Sequence, residues 1–361
     1  MSAASPAGRL LLPERARLVH IGPHKTGTTA LQSAFHHNRV AIAAQGVHYA
    51  GRGQQPAGAA IAVNRGRPMR GELQLGIEAW ERLVREIRAV GPQRVFLSSE
   101  FLANADDATA RRVVSDIDHP ETHILITLRP LWKITPSQWQ QYVQNGNRTG
   151  FSTWLDRMLN QPPYDRPSPS FWRRHRHGAL VERWAEAVGP DHVTVVVVDD
   201  SDRSMLMRTV EDLLGLSAGT LVPHVDRTNR SLTWPEAELV RRLNKRYFRE
   251  GWPEETYATL IRRGAVQEMK RHPPDAAAAP VTLPPWSHAP LEQAARDAVS
   301  ALQGSAVRAV GDLSDLARPV PGAQGRDGAG SAGGKRIDPS TAAHALLGVI
   351  EASGEIAGTR A

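Results

Sequence analysis

Up to Pro273 the chain alternates between short apolar runs of strand length and longer stretches with the 3.6-residue period of a half-buried helix. The first run, residues 17–21 (RLVHI), stops at Gly22. Residues 28–38 follow with Leu31, Ala34 and Phe35 on one face, so strand, tight loop and helix come in that order. Residues 47–50 read as a weaker second strand. After it GRGQQPAG and NRGRPMRG carry the glycine, proline and charge of a long exposed loop, the kind that covers a site. Ile77, Trp80, Leu83, Val84 and Ile87 mark a helix that Gly91-Pro92 ends before a third strand at 94–97. A fourth strand, 123–128, follows another helix. HVTVVVVDD holds the fifth, and Met205, Leu206, Val210, Leu213 and Leu214 form one stripe of the helix after it. Strands alternating with helices predict an α/β fold, a parallel central sheet with helical layers on both faces.

Beyond Pro235 the helical period persists through Val240, Leu243, Tyr247, Tyr257, Ile261 and Val266, and reads as a helical appendix. From Pro273 alanine, proline and glycine take over. GAQGRDGAGSAGGK is low-complexity, residues 320–337 are expected to be disordered, and 342–350 to form a marginal helix. The expected organisation is a flexible N-terminus (1–16), an α/β domain (17–272) and a largely flexible C-terminal extension (273–361).

Composition narrows the function classes. Of 361 residues, 41% are hydrophobic and 22% charged, the balance of a globular protein, and no run approaches the ~18 apolar residues of a membrane span. Pro13, Glu14, Arg15 and Arg17 interrupt any apolar signal core, so a cytoplasmic protein without a membrane span is expected. The absence of cysteine removes disulfides, thiol catalysis and thiolate-bound metals. Lys+Arg outnumber Asp+Glu by 44 to 37, but only five of the 44 are lysines and the arginines are spread along the chain, so nucleic acid is not the expected partner.

The candidate chemistry begins between the first strand and helix. Gly22-Pro23-His24-Lys25-Thr26-Gly27-Thr28-Thr29 combines glycines that turn backbone N–H groups inward with a lysine and hydroxyls at a helix N-terminus, an anion cradle. In the nucleoside-triphosphate loop, G-x-x-x-x-G-K-[ST], the lysine follows the second glycine, whereas here Lys25 precedes Gly27. Further along, Arg129 closes the fourth strand, at the edge where open α/β sheets gather ligands, and can grip a phosphate bidentately. Thr135-Pro136-Ser137 reads as the N-cap, first and second residues of a helix.

Lysine before Thr-Gly-Thr-Thr resembles the phosphosulfate-binding loop of the bacterial-type PAPS-dependent sulfotransferases. An arginine followed eight residues later by serine resembles their 3′-phosphate motif. The resemblance implies a three-layer αβα P-loop-type fold and sulfuryl transfer from 3′-phosphoadenosine 5′-phosphosulfate (PAPS) with PAP as product. It assigns Lys25 to the leaving group and as a binder of the donor, with Thr26, Gly27, Thr28, Thr29, Arg129 and Ser137 as the other donor-binding residues. The family's late Arg-Lys-Gly loop has no match here, and Arg227 or Asn229 is the candidate replacement.

Such chemistry needs a group to take the acceptor's proton. Glu100, after the third strand, is the first choice, with Ser98 and Ser99 in support. His24 is a second catalytic candidate, His48 a weaker one, and His20 reads as a packed core histidine. FWRRHRHG (171–178) reads either as a solvated surface or as a contact for an anionic acceptor. Trp132, Trp139 and Tyr142 read as core or as a sugar-stacking face. The acceptor, a small molecule, glycan or lipid, and the oligomeric state have no motif. A P-loop small-molecule kinase and a non-catalytic basic polyanion or nucleic-acid binder are the alternatives.

Overall fold

The computed structural model describes residues 10–70, 72–202, 204–223, 230–319 and 337–358. Six parallel strands form one sheet: β1 (Arg17–His20), β2 (Val47–Tyr49), β3 (Arg94–Ser98), β4 (Thr122–Leu128), β5 (Val193–Val197) and β6 (Arg308–Val310), in the order β2-β3-β1-β4-β5-β6. The chain leaves β1 toward β2 and β3 on one side, then crosses to β4 and beyond on the other. β1 is therefore the switch point, where a crevice opens between diverging connections.

Alternate residues of each strand serve opposite layers, as a two-faced parallel sheet requires. Leu18, Phe96, Leu125 and Val196 pack with Leu31, Phe35, Val210 and Leu213 from the helices Thr28–His37 and Met205–Leu214. Val19, Leu97, Ile126 and Val195 pack with Trp80, Val113 and Trp184 from Glu78–Ala89, Asp107–Ile117 and His177–Val188. Each fully buried side chain of this size contributes about 1.5–3 kcal/mol of transfer free energy, and together they hold the strand ends that carry the site. A third cluster, with Trp139, Trp154, Tyr247 and Tyr257, joins the helix Leu131–Gln144 to the helical appendix.

The described residues after Pro273, expected to form a largely flexible extension, pack against the rest of the chain. The helix His288–Gln303 packs on His177–Val188, β6 pairs with β5, and Pro339–Gly358 packs along residues 258–266. The long loop expected after β2 contains a short helix, Ala57–Val63, whose small side chains bury against the sheet layer. Most of the stretch expected to be disordered, 320–336, lies outside the described residues. Among those described, no helix is long and apolar enough to cross a membrane.

Candidate functional site

The loop after β1 is shaped from behind. A Cβ on Gly22 would stand 2.0 Å from Thr127 Oγ1 and 2.5 Å from His20 Nε2, so only glycine lets the backbone pass this close to β4. Gly27 opens the helix Thr28–His37 at φ +91°, and Lys25 itself sits in the left-handed region at φ +74°. A non-glycine residue there costs of order 1–3 kcal/mol, held by the surrounding bonds. Thr26 Oγ1 donates to the Pro23 carbonyl at 2.7 Å and meets Thr127 Oγ1 at 2.8 Å, and Thr28 Oγ1 donates to the Gly22 carbonyl at 3.3 Å. These two hydroxyls brace the loop. The N–H groups of Thr28 and Thr29 open the helix with no side-chain cap, and Thr29 is exposed at the mouth.

His20 ties the loop to three strands. Its Nδ1 meets Ser98 Oγ on β3 at 2.9 Å and its Nε2 meets Thr127 Oγ1 on β4 at 3.1 Å. Burial pushes its pKa down to about 3, so the imidazole is neutral and serves as a hydrogen-bond linker in the core.

In front of the loop lies a cavity of about 1050 Å³. Lys25 lines it and donates through Nζ to Gln141 Oε1 at 3.2 Å. Burial, helped by Lys270 and opposed by Glu100, pushes the ammonium down to about 8. Glu100 lines the same cavity from the 3-10 turn Glu100–Asn104 that follows β3. Gln32 Nε2 donates to its Oε2 at 2.9 Å and Gln55 Nε2 to its Oε1 at 3.2 Å, which fixes the plane of the carboxylate. His24 Nδ1 stands 3.9 Å from Glu100. Burial first, then the charges of Arg174 and Lys25, hold His24 well below the usual histidine range, so this contact joins a neutral ring to a carboxylate. Ser98 belongs to the His20 network, Ser99 Oγ is buried without a hydrogen-bond partner among the described residues, and His48 pairs with Glu86 at 2.8 Å away from the cavity.

Arg129 reaches the loop from its other side. Its Nη1 donates to the Lys25 carbonyl at 3.3 Å, while its Nη2 donates to Asp200 at 2.6 and 2.7 Å. Lys133 closes on the same carboxylate. Burial pulls the Asp200 pKa up, but the bonds and charges of Arg129 and Lys133 outweigh it and leave the group below the usual carboxylate range.

The helix start expected at Thr135-Pro136-Ser137 is displaced. The helix runs Leu131–Gln144, Pro130 precedes it, and Pro136 lies inside. Buried Leu131, Ile134, Trp139 and Val143 hold the helix together on both sides of the proline, and Thr135 Oγ1 donates to the Leu131 carbonyl at 2.7 Å. Ser137 is consequently in mid-helix. Lys133, Ser137 and Gln141 follow one another at intervals of four, so Ser137 stands on the stripe whose ends touch Asp200 and Lys25. Arg129, Lys133 and Ser137 do not line the cavity. Arg227 and Asn229 lie outside the described residues.

The run 171–178 is only partly solvated: Arg174, His175 and His177 are buried, and Arg173 is exposed. Arg173 and Arg174 line the cavity, as does the segment 64–70 after Ala57–Val63. Trp139 is core, whereas Tyr142 faces the cavity. Gln32, Gln55, Gln141 and Asp200 were not singled out from the sequence. Gln32 had a readable signal, a polar residue between Leu31 and Phe35 on the first helix after the cradle.

No family model matches the chain, and no curated protein matches it. Among solved structures it is similar to a sulfotransferase from Alicyclobacillus acidocaldarius, at 17% identity and a TM-score of 0.41, over 67% of this chain and 94% of that one. A likeness that distant carries no argument about activity.

Proposed function

We propose that this chain transfers a sulfuryl group from PAPS to a hydroxyl or amine of an acceptor. The observation that carries the reading is one convergence at the β1 switch point. A lysine-first anion cradle shares a cavity with a carboxylate fixed by two glutamines, and an arginine from the next strand touches that lysine's carbonyl. In the proposed step the acceptor atom bonds to sulfur as the bond from sulfur to the bridging phosphate oxygen breaks. The electron pair leaves on the 5′-phosphate of PAP, and the acceptor's proton passes to Glu100. Lys25 and the free N–H groups of Thr28 and Thr29 neutralise charge building on the leaving oxygen. Arg129, Lys133 and Ser137 bind the 3′-phosphate once Asp200 yields. His24, neutral and packed edge-on to Phe101, helps position Glu100.

Thermal denaturation tests this reading against the kinase alternative. At 100 times its Kd, PAP is expected to stabilise the protein by about 2.7 kcal/mol, a rise of several degrees, while ATP with Mg²⁺ gives none. Lys25→Ala removes the rise. Equal stabilisation by ATP and Mg²⁺ would overturn the reading in favour of phosphoryl transfer.

A further inference from the structure

The cavity in front of Lys25 carries far more positive charge than the donor's sulfuryl end requires. Eight lysine and arginine side chains line it, and Glu100 is the one carboxylate among its lining residues. Arg70 and Arg230 are neutralised from outside, by Glu254 and Glu236. Arg65, Arg67, Arg173 and Arg174 have no carboxylate at ion-pair distance among the described residues; Arg173 and Arg174 bond instead to the carbonyl and side-chain oxygen of Asn104. Arg174 is 8% exposed, and a guanidinium is not left so buried without a counter-charge at no cost. Beside these cations, Gln138 Oε1 is buried with no hydrogen-bond partner among the described residues, an acceptor ready for an O–H group.

We infer that the acceptor is a polyhydroxylated anion, a molecule whose hydroxyl attacks sulfur while its carboxylate or phosphate groups sit among Arg65, Arg67, Arg173 and Arg174. This deepens the sulfotransferase reading and rests on it. Two arrangements support the assignment. The arginines come from two separate segments, Arg65 and Arg67 from the one after Ala57–Val63 and Arg173 and Arg174 from the helix Phe171–His175, and all four line the same cavity, so an anion within it meets charge from both. Glu100 belongs to the same cavity, so a hydroxyl on that ligand has a base within the space it occupies. A neutral acceptor would leave Arg174 without a counter-charge and Gln138 Oε1 without a donor, at a cost that selects against it.

Acidic glycans and phosphorylated polyol headgroups share this chemistry, and the experiment separates them. PAP-saturated protein is titrated calorimetrically with three probes: a tetrasaccharide of alternating glucuronate and N-acetylglucosamine, a neutral N-acetylglucosamine tetramer, and myo-inositol 1-phosphate. The same compounds are offered with PAPS and the products weighed by mass spectrometry. At least one anionic probe is expected to bind ten times or more tightly than the neutral tetramer, to lose affinity with added salt, and to gain a sulfuryl group. The stronger of the two anions identifies the source.

Arg67→Ala with Arg173→Ala, both exposed, should weaken the anionic probe at least tenfold while leaving the PAP-induced thermal shift in place, which also verifies folding. Equal binding of the neutral tetramer, or an unchanged anion affinity in the double variant, overturns the inference while a persistent PAP shift keeps the donor reading. If PAP gives no shift and the probe still binds through these arginines without it, the donor reading falls and the anion site stands.

Discussion

Two groups of cations flank the Lys25 loop, and they differ in what holds their charge. On the β5 side, Arg129 and Lys133 share Asp200 and form a closed set in which one carboxylate bridges two cations and offsets half of their charge. On the cavity side, Arg65, Arg67, Arg173 and Arg174 lack a carboxylate at ion-pair distance among the described residues, and Glu100 alone offsets the wall. An anion entering the first set must displace a carboxylate, which favours a dianionic phosphate over weaker ligands. An anion entering the second displaces no ion-paired carboxylate from these four arginines, only the neutral oxygens of Asn104 from Arg173 and Arg174. The closed set therefore suits selection of one donor, and the open one a charged acceptor.

The sharpest way to break this division is Glu100→Gln. If the cavity side handles the acceptor, losing its carboxylate slows transfer by about 10²–10⁴-fold and leaves the PAP thermal shift intact. A lost shift would merge the two sides into one.

Asp200→Asn tests the closed set. With its competitor removed, PAP should bind about tenfold more tightly, the scale of one charge-assisted hydrogen bond, measured by calorimetry. Weaker binding would mean that Asp200 holds Arg129 ready rather than guarding it.

The smallest expected effect is a pH dependence of the donor affinity. Lys25, lowered to about 8 by burial and Lys270, must be protonated to meet an anion, so PAP affinity should fall as pH rises through about 8. Between that value and 10.5 the unfolded chain binds more protons at this lysine than the folded one. Lys25 therefore contributes a rise in the free protein's stability over that window, read by denaturant titration at each pH.

Five strands were legible because β-branched runs end at glycine, proline or charge, and the cradle because its glycines and lysine are contiguous. β6 was not. Three residues carry no period, and Arg308–Val310 becomes a strand only through pairing with β5. Ala57–Val63 was hidden by small residues inside a loop-like composition, and Pro136 suggested a helix start where apolar packing carries the helix through it. Within the site, Lys25 and Glu100 were readable from local context and line one cavity. Asp200 was visible only as one of two acids after β5; its role depends on Arg129, 71 residues away, and no local pattern encodes that pairing. Gln55 and Gln141 are likewise defined by what they reach across the fold.

The central claim is that Lys25 and Arg129 hold opposite ends of one nucleotide. Calorimetric titration of wild type and Arg129→Ala with PAP and with adenosine 5′-monophosphate tests it most directly. Wild type is expected to bind PAP about 10–100-fold more tightly than the monophosphate, and Arg129→Ala to erase this preference while leaving the monophosphate affinity nearly unchanged. A PAP preference that survives in Arg129→Ala would contradict it.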